Sequence, residues 1–243
     1  MPARRPLLDR VVLVVGASSG MGRAISLELA AAGARIAAAA RSADKLEGVA
    51  EAARRSGGEV NAFPADATDP AAMRRLVDAV MARHGRLDAV VITVGTNIAE
   101  RRLDQLTPKS WGDMLDSNLN AAFHVSQAVV PAMRNQGAGL IVYISSSAAR
   151  KPDQSGAAYQ ASKAGVLALA HAISEEERSN GIRTSVILPG LTHTDLVYKR
   201  PTAPTAEMLA NALQPEDVAA AVLFIVGLPP RATVPEMQLF PSR

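Results

Sequence analysis

Short apolar runs alternate with amphipathic stretches of helical length along almost the whole chain. The runs Val11–Val15, Ala89–Val94, Leu140–Ile144 and Thr184–Leu188 are nearly continuous in apolar character. That is the pattern of strands buried on both faces of a sheet. Arg35–Ala40 occupies the place of a further strand, although its four alanines would suit a helix. Between the runs, Met21–Ala32, Ala43–Ser56, Pro70–His84, Lys109–Asn118, Ala121–Arg134 and Ala158–Asn180 carry apolar residues at helical spacing. Gly33 stands where a helix C-cap would, and Asp69-Pro70 reads as an N-cap followed by proline at the first helical position. Strand–helix alternation predicts an α/β fold, a doubly wound parallel sheet of about seven strands with right-handed crossovers and helices on both faces. There is no internal repeat and no low-complexity linker, so residues 1–243 are expected to form one domain. The least regular stretch is Thr192–Leu213, with Pro201 and Pro204 near its middle. Residues 194–213 are expected to be a lid over a site.

Composition narrows the class. The chain has 243 residues, 48% hydrophobic and 20% charged, enough for one sizeable core. The net charge of +3 comes without a basic stripe interleaved with aromatics, so nucleic acid is not an expected partner. Cysteine is absent, which excludes disulfides and thiolate metal sites, and no metal is expected. Met1–Arg10 carries Arg4-Arg5 and could pass for the charged start of a signal peptide. The apolar run behind it, Val11–Val15, is too short for the hydrophobic part of one. No window approaches the ~20 apolar residues of a membrane span. A soluble cytoplasmic protein is expected.

The candidate chemistry lies at strand ends. Gly16, Gly20 and Gly22 form a Gly-x3-Gly-x-Gly turn between a strand and a helix. Glycine lets backbone approach a ligand closely, and the helix N-terminus behind it offers unpaired N–H groups to a pyrophosphate. A tight turn with no ligand is the plainer reading of those residues alone. Tyr159 and Lys163 stand four apart on a helix and share a face. A free tyrosine, with a pKa of about 10, is a poor acid–base near neutrality, and a nearby ammonium lowers that value. Ser146 lies thirteen residues before Tyr159 at the end of an apolar run, with Ser145 and Ser147 as rivals. After the second run comes Ala40-Arg41, where a Rossmann fold that selects NAD would place an acidic residue. A guanidinium there pairs well with a 2′-phosphate, and Ser18 and Ser19 add hydroxyl donors. Arg41 could equally end the strand in water, and Asp66 could be a turn aspartate.

The segment Val14-Val15-Gly16-Ala17-Ser18-Ser19-Gly20-Met21-Gly22 resembles the cofactor loop of the short-chain dehydrogenase/reductase family, in its single-domain branch. Tyr143-Ile144-Ser145-Ser146 resembles the family's Asn-Ile-Ser-Ser, and Tyr159/Lys163 its Tyr-x3-Lys. Trp111 to Asn120 resembles the helix whose asparagine completes a tetrad, here Asn118, with Asn120 as neighbouring rival. Pro189-Gly190-Leu191-Thr192-His193-Thr194 resembles the loop that supports the nicotinamide. The resemblance spans roughly residues 8 to 240. It implies a catalytic set of Asn118, Ser146, Tyr159 and Lys163. Ser146 would hold the substrate oxygen, Tyr159 would exchange the proton, Lys163 would also hold the cofactor ribose, and Asn118 would break the helix and hold a water. It further implies NADP(H) bound by Gly16, Ser18, Ser19, Gly20, Met21, Arg41, Asp66, Ala67, Thr93, Gly95, Tyr159, Lys163, Pro189, Gly190, Thr192 and Thr194. His193 is expected to be solvated or structural.

Two departures stand out. The family's Asn-Asn-Ala-Gly is here Ile92-Thr93-Val94-Gly95, so strand-stabilising amide contacts are expected to be lost. A glycine pair near the C-terminus is missing, and the tail from Pro215 is similar to that of NADP-dependent dehydrogenases of serine and other 3-hydroxy acids. The expected function is hydride transfer between NADP(H) and a small carbonyl compound or secondary alcohol, as a ketone reductase or a 3-hydroxy acid-type dehydrogenase. The rivals are a 3-oxoacyl-carrier-protein reductase and a catalytically silent nucleotide-binding sensor. Thr96, Asn97, Ser147, Asp153, Gln154 and Tyr198 are expected to build the substrate pocket, and Lys199 and Arg200 could meet an acidic substrate, a solvated loop face being the plainer reading. The resemblance also implies a homo-oligomer, a dimer or tetramer, joined through Ala121–Arg134 and Ala158–Asn180.

Overall fold

The computed structural model describes residues 6–242, so the Arg4-Arg5 pair lies outside the described residues. Seven parallel strands form one sheet in the order β3-β2-β1-β4-β5-β6-β7. They are β1 Val11–Val15, β2 Arg35–Ala40, β3 Glu59–Pro64, β4 Ala89–Ile92, β5 Gly139–Ile144, β6 Ile182–Pro189 and β7 Glu236–Leu239. The sheet grows outward from β1 to β3, then restarts at β4 on the other side of β1. That reversal opens a crevice at the carboxyl ends of β1 and β4, where open α/β sheets take ligands.

Both faces are covered. Val12 and Val14 of β1 pack toward α1 (Gly20–Ala31), α2 (Ala43–Arg55) and α8 (Pro215–Gly227). Val11, Leu13 and Val15 face α3 (Pro70–His84), α5 (Ala121–Gln136) and α6 (Ala157–Glu177). The period-2 alternation of a strand thus feeds two separate cores. β2 belongs to the sheet despite its alanines. Ala38 lies in one core and Ala37 and Ala39 in the other, all fully buried. Position between two strands overrides alanine's helix propensity.

Element boundaries differ most from expectation in three places. β4 ends at Ile92 rather than Val94: the Thr93 N–H and hydroxyl both donate to the Val15 carbonyl at 2.9 Å, and the chain then leaves the sheet. Thr93 therefore replaces part of the strand tie that the missing amides would have made. The stretches 109–118 and 121–134 are not separate helices. α4 (Pro108–Leu115) continues through a π turn, Asp116–Asn120, into α5. The segment after β6 is less structureless than its prolines suggested. It contains a 3-10 turn, Asp195–Lys199, and a short helix α7, Ala206–Asn211. Its ends are pinned together, because His193 N–H donates to Leu213 O at 2.7 Å and Leu213 N–H to Leu191 O at 2.9 Å. The caps at 69–70 form as expected: Asp69 accepts from Ala71 N–H at 2.8 Å with Pro70 beginning α3, and Gly33, at φ +98°, follows α1. Among the described residues no helix is long and apolar enough to cross a membrane, and no group of three His, Asp or Glu is placed to hold a metal ion.

Candidate active site

A cleft of about 590 Å³ runs along the carboxyl ends of β2, β1 and β4 and continues beside Tyr159 into a smaller cavity of about 100 Å³. The two share Met21, Ser145, Tyr159, Thr194 and Leu196. Gly16, Ser18, Ser19, Gly20, Met21, Arg41, Asp66, Ala67, Thr93, Gly95, Tyr159, Lys163 and Thr194 all line the larger cleft. Pro189, Gly190 and Thr192 line the smaller one.

The donor set of the larger cleft fits a dinucleotide. At its centre, α1 begins without a side-chain cap: Ser19 is the N-cap, yet its hydroxyl accepts nothing from the first turn. By contrast α2, α3, α4 and α7 are each capped by a serine, threonine or aspartate oxygen. The free N–H groups of α1 and the Ser19 hydroxyl are therefore available to a phosphate. Gly16, at φ +94°, cannot be replaced cheaply, because a Cβ there would lie 2.4 Å from Thr93 Oγ1. At one end of the cleft, Arg41, Ser42 and Lys45 surround the N-terminus of α2. Asp66 faces them. Its Oδ1 accepts from Thr68 N–H at 2.9 Å and Thr68 hydroxyl at 2.8 Å, an Asx turn that leaves the second oxygen free. The Thr68 N–H holds the Asp66 carboxyl below the usual range against burial, with the Thr68 hydroxyl and Arg41 adding to it.

At the other end the acid–base candidates converge. Tyr159 is 8% exposed and lies on the first turn of α6. Burial raises its pKa, and the neighbouring Ser146 hydroxyl works against that rise. Ser145 donates its hydroxyl to the Lys163 carbonyl at 2.8 Å, tying the end of β5 to α6. Ser147 lines the smaller cavity from the 3-10 turn Ser147–Ala149. Lys163 is 5% exposed, with Nζ donating to Ile144 O at 3.2 Å and lying 5.9 Å from the Tyr159 ring centre. Burial lowers its pKa to about 8. Gly95 makes room for that ammonium, because a Cβ there would meet Lys163 Nζ at 2.9 Å.

Asn118 sits in the π turn and is 1% exposed. The side chain lines neither cavity. Its Oδ1 accepts from Thr96 N–H at 2.7 Å, and Nδ2 donates to Thr96 O at 3.1 Å and Ser162 Oγ at 2.9 Å. The asparagine clamps the loop after β4 against α6, and the π turn provides the predicted break in helix hydrogen bonding. Asn120 instead donates to Asp116 at 2.6 Å on the exposed side.

The substrate-side expectations divide. Asn97, Ser147 and Asp153 line the smaller cavity and Thr96 the larger. Gln154 lines neither. Tyr198 is 59% exposed and turned outward, its hydroxyl 3.1 Å from His193 Nε2; His193 also lines neither cavity. Lys199 is not simply solvated, since Nζ donates to Thr96 Oγ1 at 2.7 Å over the cleft. Sequence reasoning missed Lys45, one helical turn beyond Ser42, and Arg101, which carried no motif at all.

Residues 10–204 match the family model for short chain dehydrogenase. An uncharacterized oxidoreductase of Staphylococcus aureus (strain USA300) is 29% identical over 235 residues, covering 97% of this chain and 98% of that protein. A metagenomic short-chain oxidoreductase solved in complex with NADP superposes at a TM-score of 0.84 with 30% identity, covering 98% of this chain and 99% of the other. Levodione reductase superposes at 0.89 with 26% identity and 96% of each chain covered.

Proposed function

The chain belongs to the short-chain dehydrogenase/reductase family and is an oxidoreductase that uses a nicotinamide cofactor, and on that premise we propose that it interconverts a small carbonyl compound and its secondary alcohol with NADP(H). The observation that carries this reading is the meeting of Ser146, Tyr159 and Lys163 where the long cleft opens into the small cavity. The cofactor, when bound, supplies or accepts the hydride. Ser146 orients the substrate oxygen. Tyr159, kept protonated by burial, donates its proton to that oxygen during reduction and recovers it during alcohol oxidation. Lys163 holds the ribose and, as a cation beside the phenol, eases proton loss from Tyr159. Asn118, through the π turn, fixes the loop that carries Gly95 and Thr96. Thr194 and the loop Pro189–Thr192 support the nicotinamide side. Residues 194–213 cover the site within one catalytic unit.

The preference for NADP(H) over NAD(H) rests on Arg41 and Lys45 beside Ser42, with no carboxylate at position 40 to repel a phosphate. A charge-assisted pair of this kind contributes roughly 1.5–3 kcal/mol. Arg41→Ala is expected to shrink the ratio of NADPH to NADH affinity about tenfold or more, and Lys45→Ala to shrink it further. Titration of both cofactors by fluorescence checks this, and equal affinities in the unaltered protein would contradict it.

Self-association through α5 and α6 is part of the same reading. Ala161, Ala164, Ala168 and Ala172 form an exposed stripe of small side chains on α6, and Phe123 is 44% exposed on α5. Ala158, which the sequence pattern placed on that stripe, faces inward. A dimer or tetramer is expected by light scattering at micromolar concentration, and a monomeric mass would contradict it.

A further inference from the structure

The small cavity beside Tyr159 carries more positive charge than the chemistry proposed above requires. Arg101 is 7% exposed, although it lies in the charged run Glu100-Arg101-Arg102 of the loop after β4. Its Nε donates to Ile98 O at 2.7 Å and its Nη2 to Lys199 O at 2.5 Å. Those two bonds use backbone carbonyls, which satisfy N–H groups without neutralising the charge. Nη1 has no hydrogen-bond partner among the described residues and keeps some access to solvent, and the residue lines the cavity. No carboxylate among the described residues lies within ion-pair distance of Arg101. A buried guanidinium stays charged, and a buried charge without a counter-ion is costly. Burial and the neighbouring Arg200 act to lower its pKa while Tyr159 and Asp153 act to raise it, so a second cation and one carboxylate share the cavity. Asp153 lines the same wall, but its Oδ1 accepts from the N–H and hydroxyl of Ser155. Two guanidiniums against one carboxylate leave the cavity with an excess positive charge.

The position of Arg101 is fixed. Its backbone packs against Gly156, where a Cβ would lie 2.4 Å from Arg101 O, and Gly156 begins the helix that carries Tyr159. The free edge of the guanidinium is therefore held in a set relation to the phenol. We infer that Arg101, assisted by Arg200, holds the carboxylate of the substrate, so that the enzyme acts on short oxo acids and the corresponding hydroxy acids rather than on neutral ketones. This rests on the carbonyl–alcohol reading above. A planar guanidinium suits a carboxylate because its parallel N–H groups match the two oxygens. The cavity, about 100 Å³ against about 590 Å³ for the neighbouring cleft, suits a substrate of only a few carbons. The contact between Arg101 and Lys199 O also links the carboxylate grip to the covering segment.

Calorimetric binding separates this inference from the reaction itself. The probes are 3-hydroxybutyrate and 3-hydroxybutyramide, equal in size and differing in charge, titrated into protein saturated with NADP+. The expected result is a preference for the carboxylate of roughly tenfold or more, which Arg101→Gln reduces to threefold or less. Arg200→Gln, at an exposed position that tolerates change, should lower the ratio by a smaller factor. Equal binding of the two probes by the unaltered protein, or an undiminished ratio in Arg101→Gln, would overturn the inference. A retained carboxylate preference with no turnover of oxo acids would instead leave the grip standing and count against the proposed reaction.

Discussion

Tyr159→Phe is expected to lower turnover by about 10²–10⁴-fold, the span that general acid–base catalysis typically contributes, while the protein folds and still binds NADPH. The substitution removes one hydroxyl and keeps the ring that packs with Met114, Ala148 and Ala158. It also abolishes a distinctive pH response. Burial raises the Tyr159 pKa, so at pH 7 the phenol is protonated and ready to reduce a carbonyl. Alcohol oxidation needs the deprotonated form and should accelerate as pH rises toward the raised pKa. In Tyr159→Phe that alkaline rise disappears. Tyr143 provides the control. It is fully buried, its hydroxyl is 2.7 Å from Ser126 Oγ inside the core, and it lines neither cavity. Tyr143→Phe should change turnover by no more than a few-fold. Near-full activity in Tyr159→Phe would remove Tyr159 from the mechanism.

Lys163→Met should separate function from stability. Methionine keeps the length of the side chain but has no charge. Cofactor affinity and turnover should both fall, because the ammonium is proposed to serve the ribose and the phenol. Stability without cofactor should rise. The folded state holds the Lys163 pKa at about 8, against 10.5 for an unhindered lysine. Between those values the unfolded chain binds a proton that the folded chain has released, so the unaltered protein gains stability as pH rises from about 8 to 10.5. Below pH 8 both states are protonated and the burial penalty is felt in full. The stabilising effect of Lys163→Met is therefore largest at or below pH 8 and fades toward pH 10.5. Its upper limit is ~3.5 kcal/mol, at about 1.4 kcal/mol per pKa unit. Denaturant unfolding at pH 7 and pH 10 measures it. A variant less stable than the parent at pH 7, or a difference that grows with pH, would refute this account of Lys163.

The sheet was legible in the sequence because β1, β4, β5 and β6 are buried on both faces, so their apolar runs are nearly uninterrupted. Local sequence was less informative about β2. Ala37–Ala40 have no strand preference of their own, and burial between β1 and β3 decides their state. The break expected at Asn118 is present, but as a π turn in a continuous helical path. Nothing in the polar pattern distinguishes that turn from a loop. The glycine turn and the Tyr-x3-Lys pair stood out in the sequence through resemblance to a family whose motifs keep those residue types at fixed spacing from a strand end. Arg101 was not. Its place depends on a loop folding back against Gly156 and on a bond to the carbonyl of Lys199, 98 residues away. Tyr198 and Gln154 failed for the same reason in reverse: near the site in sequence, they are turned away from it by the 3-10 turn and the loop before α6.

Reduced-cofactor consumption tests the central claim most directly. Purified protein with NADPH should be offered a panel of short oxo acids and neutral ketones, and the loss of reduced-nicotinamide absorbance followed with Tyr159→Phe in parallel. The account predicts steady NADPH oxidation with at least one carbonyl compound, reduced by about 10²-fold or more in Tyr159→Phe. Tight NADPH binding with no oxidation by any member of the panel, or oxidation at equal rates in the two proteins, would contradict it.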